Sequence, residues 1–141
     1  EADETGKAAI GHGYTYSGHP VGAAAALAAL SEMKRLRVNE NAAARGAELY
    51  QGLLALKSRY EMIGDVRGGH GLMCAIELVS DRATKRAPEK ATAGRVQDVA
   101  YKAGAMVRVS GPNIIMSPPL ILTAADVKVI LDALEAGFAK L

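Results

Sequence analysis

Residues 11–20 gather the residue types best suited to holding an anion. Residues 14–17 read Tyr-Thr-Tyr-Ser, so four hydroxyl groups follow one another beside glycines. Hydroxyl groups and loop amides donate hydrogen bonds to phosphate oxygens, and a helix that begins at Pro20 adds a positive dipole end. The same residues also suit a structural task, in which Ser17 caps the helix or Thr15 closes a turn. The residues by themselves leave both interpretations open.

Arg108 is the second candidate for chemistry. It lies in the string Met-Val-Arg-Val at residues 106–109, just before Gly111 and Pro112. A guanidinium on a short strand can bind a carboxylate through two parallel hydrogen bonds, and its charge persists at any working pH. The alternative is an arginine on the solvent face of that strand. We expect the turn at residues 110–112 to be flexible, so that the long side chain can lie inside or outside a pocket.

Several other reactive side chains match no known site pattern. Two Gly-His-Gly strings lack the third glycine of a dinucleotide-binding loop and are interpreted as turns. The histidine and cysteine spacings fit no metal site, and no nucleophile-elbow sequence supports a Ser-His-Asp site. The residues concerned in the metal interpretation are His12, His19, His70 and Cys74. The charged residues 81–90 are interpreted as a solvated loop.

The composition indicates a globular chain or part of one. The 141 residues match the size of one domain, and a hydrophobic share of 50% excludes a disordered tail. A net charge of +2 is too small to argue for nucleic acid, and one cysteine excludes a disulfide framework. The sequence contains no apolar run long enough for a membrane span and does not start like a signal or transit peptide. We therefore expect a cytoplasmic protein that binds neither nucleic acid nor a membrane.

A helix with an unusual apolar surface follows the hydroxyl-rich stretch. Residues 1–19 have no helical or strand period and are predicted to be loop. Pro20 suits the first turn of a helix that reaches residue 37. Residues 21–30 are apolar on every side of this helix, so we expect other parts of a protein to bury it on every side. A chain of this length supplies little cover, which predicts a piece of a larger protein or of a dimer.

The remaining pattern predicts a small antiparallel sheet with helices packed on it. A second helix with Asn39 as its N-cap covers residues 40–59, and a third helix opens near Pro88. A last helix is capped by Thr123, with Asp126 completing a capping box. Strands are predicted at residues 61–67, 72–79, 106–109 and 113–116, the second with Leu72, Cys74, Ile76 and Leu78 on its buried face. The order ααββαββα with short turns between strands predicts an α+β domain.

Three strings in the sequence resemble a known enzyme family. Residues 11–21 read Gly-His-Gly-Tyr-Thr-Tyr-Ser-Gly-His-Pro-Val, residues 65–73 read Asp-Val-Arg-Gly-Gly-His-Gly-Leu-Met, and residues 114–121 read Ile-Ile-Met-Ser-Pro-Pro-Leu-Ile. In this order they closely resemble the class III aminotransferases, pyridoxal-phosphate enzymes of fold type I. The resemblance covers nearly the whole chain. It implies the C-terminal part of such an enzyme, with residues 1–37 from the end of the large domain and residues 38–141 as the small C-terminal domain.

The resemblance also implies roles for individual residues. In this family the threonine of the Thr-Tyr-Ser-Gly-His-Pro string binds the phosphate of the partner subunit's cofactor in a homodimer. Thr15, with the backbone of Tyr14 beside it, would take that role. An arginine ten residues before the Pro-Pro pair, the position of Arg108, is typical of ω-transaminases and binds substrate carboxylates. The ornithine-type branch has an arginine three residues before the pair, where this chain has Ile115.

The expected function follows from the same resemblance. The intact enzyme would move an amino group from an amine or ω-amino acid to a keto acid such as pyruvate, with pyridoxal 5'-phosphate as its cofactor. The lysine that carries the cofactor lies upstream in the family, and Lys7 does not match its context. This chain would therefore contain no catalytic residue and be inactive by itself. Two alternatives are a diaminononanoate-type aminotransferase of the same family and a non-catalytic small-molecule-binding or dimerisation module.

Overall fold

The computed structural model describes Gly11 and residues 13–141, and within that part the chain forms four helices and four strands. The elements are α1 (Pro20–Arg35), α2 (Val38–Arg59), β1 (Ile63–Gly69), β2 (Gly71–Leu78), α3 (Thr92–Lys102), β3 (Arg108–Ser110), β4 (Asn113–Met116) and α4 (Ala124–Phe138). This order, ααββαββα, is the predicted one. The chain divides between Arg35 and Leu36 into two compact units.

The first unit contains helix α1. Pro20 lies in its first turn, where the missing amide of a proline costs no hydrogen bond. The helix ends at Arg35, two residues before its predicted end, and none of its residues is buried. Val21, Leu27 and Leu30 are each more than half exposed. Neither α1 nor any other helix in the described part is long and apolar enough to cross a membrane.

The second unit is built on an antiparallel sheet with the strand order β1-β2-β4-β3. Helices α2 and α3 pack on the sheet, and α4 packs on those two helices. Side chains alternate along a strand, so every second residue of β2 and β4 enters the core. The buried residues of the two strands are Leu72, Cys74, Ile76, Leu78, Ile114 and Met116. The α+β class and the buried face predicted for β2 are confirmed.

The start of α2 differs from the prediction. The helix begins at Val38, and its N-cap residue Arg37 has a left-handed conformation, with φ of 50° and no side-chain cap. Asn39, the predicted N-cap, lies inside the first turn. Val38 is buried, and burying a valine contributes about 1.5–3 kcal/mol, more than the roughly 1 kcal/mol of a capping side chain. Burial therefore decides where this helix begins.

The start of α3 was predicted wrongly and its end correctly. The helix begins at Thr92, not near Pro88, because residues 89–91 are all exposed and bury no side chain against the rest of the unit. Thr92 itself is buried. At the other end Gly104 has φ of 101°, a left-handed conformation that glycine adopts without strain. The helix therefore stops where its sequence pattern ends.

A glycine turn joins β1 to β2 and packs against α2. Gly69 and Gly71 have φ of 90° and 83°, a conformation that side chains disfavour. The main chain of Gly71 lies directly against Gly46 of α2, with no space for a side chain between them. The hairpin tip is thus fixed to the helix by backbone contact.

Candidate functional site

An open groove of about 970 Å³ lies in the second unit, between the end of α3, the edge strand β3 and the start of α4. Its walls are mostly apolar. The apolar residues with side chains in contact with the groove include Met106, Val107, Met116, Ile121, Val129 and Ile130. Met106 is 85% exposed and Ile121 is 62% exposed. A groove of this size and character can accept a small, partly apolar molecule.

Arg108 is the basic residue among the described residues that line this groove. It begins β3, two residues later than the predicted strand, and pairs with Ile115 of β4. Val107, just before it, is buried, and Gln97 of α3 donates a hydrogen bond to its carbonyl oxygen at 2.6 Å. The backbone that carries Arg108 is therefore held by the sheet on one side and by α3 on the other.

The turn between β3 and β4 is also held by hydrogen bonds. The Asn113 side-chain amide donates to the carbonyl oxygen of Ser110 at 3.2 Å, and the Leu78 amide donates to that of Pro112 at 2.9 Å. These bonds tie the main chain of the turn to β2 and to itself, and the flexibility expected here stays a prediction. Movement at Arg108 is left to its side chain.

The charge of Arg108 is available to a ligand. Its side chain is exposed and has no hydrogen bond or ion pair within the described part of the chain. The other charged residue at the groove, Asp126, accepts hydrogen bonds from the Thr123 hydroxyl at 2.6 Å and the Thr123 amide at 2.9 Å, which lower the pKa of Asp126. This is the predicted capping box of α4. Among the residues that the structure describes, the groove therefore offers one unpaired cation, Arg108, beside apolar walls.

The sequence indicates Arg108 but not the residues that surround it. Gln97, which holds the strand, has no signal of its own in an amphipathic helix, because its partner lies on another element. Met106 and Val129 look like ordinary core residues in the sequence, yet both are exposed at the groove. A pattern of exposed apolar residues becomes visible only after folding.

In the first unit, residues 15–18 form a turn just before α1. The Ser17 amide donates to the Tyr14 carbonyl oxygen at 2.9 Å, and the Ser17 hydroxyl accepts from the Tyr14 amide at 3.0 Å. Ser17 therefore closes this turn and does not cap α1. Within the described residues, the hydroxyl and amide of Thr15 have no hydrogen-bond partner, and its side chain is exposed. Both donors of Thr15 are free to bind an anion such as phosphate.

The remaining reactive side chains form no site in the described part of the chain. Lys7 and His12 lie outside the described residues. His19 and His70 are exposed, and Cys74 faces the core, where burial raises the pKa of its thiol. No three His, Cys, Asp or Glu side chains among the described residues are grouped closely enough to hold a metal ion.

Nearly the whole chain matches the sequence profile of one protein family. The profile, described as aminotransferase class-III, matches residues 3–138. This chain belongs to the class III aminotransferases. The resemblance inferred from the strings at residues 11–21, 65–73 and 114–121 is thereby confirmed.

Solved and curated relatives agree with this class III membership. An amine transaminase from an uncultivated Pseudomonas species, solved with pyridoxal phosphate bound, is 47% identical, with a TM-score of 0.84 over 93% of this chain and 30% of that chain. The taurine–pyruvate aminotransferase of Bilophila wadsworthia is 35% identical over 131 residues, which are 88% of this chain and 28% of that protein. The (R)-1-hydroxy-2-aminoethylphosphonate ammonia-lyase of Vibrio splendidus is 38% identical over 133 residues, 93% of this chain and 27% of that protein.

The class III chain spans less than a third of the length of these relatives. Its α+β fold is that of the corresponding part of the solved transaminase. Tyr14 and Thr15 lie in the first unit and Arg108 in the second, and the roles assigned to them remain predictions. The activity of the whole protein is a matter of proposal.

Proposed function

We propose that this chain is the C-terminal part of a pyridoxal-phosphate-dependent transaminase that moves an amino group from an amine or ω-amino acid to a keto acid such as pyruvate. The observation that carries the proposal is Arg108, an unpaired guanidinium in an apolar groove. A keto acid offers a carboxylate to the guanidinium and a short apolar remainder to the walls. Two relatives are named as an amine transaminase and a taurine–pyruvate aminotransferase, which supports these substrate classes.

Arg108 would serve two kinds of substrate in one groove. With a keto acid, its guanidinium binds the carboxylate through two parallel hydrogen bonds. With an apolar amine, the exposed side chain turns toward solvent while the backbone stays fixed by β4 and Gln97. The presence or absence of a carboxylate then decides which position the arginine takes.

Tyr14 and Thr15 would hold the phosphate of the cofactor. The free hydroxyl and amide of Thr15 and the nearby start of α1 suit a dianion. The pyridoxal group, when bound, takes the amino group from the donor and passes it to the acceptor. By the family resemblance the phosphate belongs to the partner subunit, so we propose a homodimer with shared active sites.

The domain assignment belongs to the same proposal. Residues 1–37 would end the large domain, and residues 38–141 would form the small one. The division of the chain between Arg35 and Leu36 lies two residues from that boundary. The exposed apolar side chains of α1, such as Leu27 and Leu30, would pack against the upstream part of the large domain. A cytoplasmic location also remains a prediction.

An assay of the complete enzyme with pyridoxal phosphate tests the proposal. We expect alanine to form from pyruvate when an amine or ω-amino acid is supplied, and no ammonia to be released without a keto acid. Ammonia release without an acceptor would support a lyase instead, the activity named for the 38% identical Vibrio protein. Turnover restricted to a diaminononanoate-type substrate pair would support that branch, and no turnover with any pair would support a non-catalytic module.

The 141-residue chain by itself should not transaminate. In the family the lysine that carries the cofactor lies upstream of the hydroxyl-rich string, and Lys7, the lysine upstream of that string in this chain, does not match its context. Purified chain, pyridoxal phosphate, an amine and pyruvate should give no alanine above the blank, while the complete enzyme gives a clear signal. Turnover together with stoichiometric borohydride labelling of one lysine in this chain would contradict the fragment interpretation.

Replacing Thr15 with alanine in the complete enzyme should weaken cofactor binding about tenfold. The variant loses one hydroxyl donor to a charged group but keeps the backbone amide, so the loss lies at the lower end of such hydrogen bonds. Cofactor retained after dialysis, measured by absorbance, checks this result. Thr15→Ser keeps the hydroxyl and should retain cofactor like the parent. If Thr15→Ala also retains it fully, Thr15 is only a turn residue.

A further inference from the structure

The sheet of the second unit presents a polar face opposite its core face. Strand register places eight outward residues in two rows, and none of the eight is buried. The first row contains Arg67, Ala75, Ile115 and Arg108, and the second contains Asp65, Glu77, Asn113 and Ser110. Arg108 therefore shares a face with a second arginine and with two carboxylates.

Arg67 pairs with three polar side chains of this face. Its Nη1 lies 2.7 Å from Glu77 Oε2 and 3.7 Å from Asp65 Oδ2, and its Nη2 donates to Asn113 Oδ1 at 2.8 Å. Asn113 in turn donates to the Ser110 carbonyl oxygen. One guanidinium on β1 thus holds a carboxylate on β2 and an amide on β4.

Arg108 has no such partner among Gly11 and residues 13–141, the described part of the chain. Its cross-strand neighbour is the aliphatic Ile115, and Glu77 lies two strands away in the adjacent row, at a Cα separation of about 12 Å from strand geometry. Long arginine and glutamate side chains can span much of that distance. A free Glu77 carboxylate that reaches toward Arg108 comes within a Debye length of its guanidinium, where it lowers the affinity of the guanidinium for a second anion.

We propose that Arg67 is a positioning residue that keeps Arg108 available for the substrate carboxylate, by holding Glu77 and thereby neutralising the nearest competing anion on the same sheet face. The proposal rests on the proposed function of Arg108. Without Arg67, the carboxylates of Glu77 and Asp65 would share the outer face with Arg108. Asp65 would keep an ion pair with Lys57, whose Nζ lies 3.4 Å from its Oδ1, and Glu77 would lose its partner. A carboxylate substrate would then bind Arg108 against an uncompensated negative charge.

The test is Arg67→Gln in the complete enzyme, with half-reactions measured separately for pyruvate and for an apolar amine. We expect KM for pyruvate to rise about threefold to tenfold, with kcat and the amine half-reaction unchanged. Adding Glu77→Gln should bring KM for pyruvate back to within twofold of the parent, because the competing charge is gone.

Arg67→Lys, which keeps the charge but not the fork, should also stay within twofold. Arg59→Gln, which removes a cation paired with Glu135 on the helices, is the matched control and should leave KM unchanged.

The outcomes separate this inference from the function it rests on. If Arg108→Ala does not lower kcat/KM for pyruvate more than that for the apolar amine, the proposed function of Arg108 is wrong. Suppose that Arg108→Ala impairs the pyruvate half-reaction selectively. If Arg67→Gln then leaves KM for pyruvate unchanged, or if adding Glu77→Gln does not bring that KM back, the role of Arg67 is overturned. A rise in KM for Arg67→Lys equal to that for Arg67→Gln would likewise overturn it, by showing that the fork to Asn113 matters and the charge does not. In an Arg108→Ala background, the Arg67→Gln effect on pyruvate should vanish.

Discussion

Replacing Arg108 with alanine in the complete enzyme should lower kcat/KM for pyruvate about 30- to 150-fold and change the value for an apolar amine little. The lost interaction is a charge-assisted, bidentate pair with the substrate carboxylate, which contributes about 2–3 kcal/mol. An amine without a carboxylate makes no such pair and meets only the apolar walls of the groove. Rates of the two half-reactions, measured separately by the absorbance of the bound cofactor, check the difference.

The lysine variant is the control for this substitution. Arg108→Lys keeps the positive charge but loses the bidentate geometry, so its kcat/KM for pyruvate should lie between that of the parent and that of Arg108→Ala. Equal losses for pyruvate and amine in Arg108→Ala would mean that Arg108 supports the fold or the cofactor. No loss for either would make it the solvent-facing arginine of the alternative interpretation.

The local pattern of the sequence determined most of the fold. Alternation in β2 predicted its buried face, and Thr123 with Asp126 predicted the start of α4, because these signals involve residues a few positions apart. The predicted starts of α2 and α3 were wrong, because contacts with distant elements determine where these two helices begin. Val38 and Thr92 become buried only when the helices meet the rest of the unit.

The candidate site could be predicted only in part for the same reason. Arg108 and Thr15 were found through short strings, and the structure adds that neither side chain has a partner within the described residues. The hydrogen bond from Gln97 to Val107 and the bond from Arg67 to Asn113 depend on packing and on strand register. Register between β2 and β4 cannot be read from one sequence, because its pairs, such as Glu77 with Asn113, are 36 or more residues apart in the chain.

Replacing Gly46 with alanine should lower the free energy of unfolding of this chain by about 2–3 kcal/mol. A Cβ at this position would lie 2.1 Å from the Gly71 carbonyl oxygen and 2.4 Å from its carbon. These atoms belong to the fixed main chain of the β1–β2 turn, so α2 or the hairpin must move, which costs about 3–4 kcal/mol, at and above the upper end of the usual range for overpacking. The better helix propensity of alanine recovers only about 1 kcal/mol of it. Thermal unfolding followed by circular dichroism should show a melting temperature lower by roughly 10 °C.

Two other helical glycines are matched controls, because the same added methyl group meets different surroundings. At Gly94 in α3 nothing lies within 4 Å of the new Cβ, so Gly94→Ala should stabilise the chain by about 0.5–1 kcal/mol through helix propensity alone. At Gly52, also in α2, the nearest atoms are the terminal methyl groups of Leu131, at 2.3 and 2.7 Å. A leucine side chain can change its rotamer where a main chain cannot, so Gly52→Ala should cost less than Gly46→Ala. The melting temperatures should therefore rank Gly94→Ala above Gly52→Ala above Gly46→Ala. If Gly46→Ala melts as high as Gly52→Ala, the hairpin can move away from α2, and the backbone contact at Gly71 does not fix it.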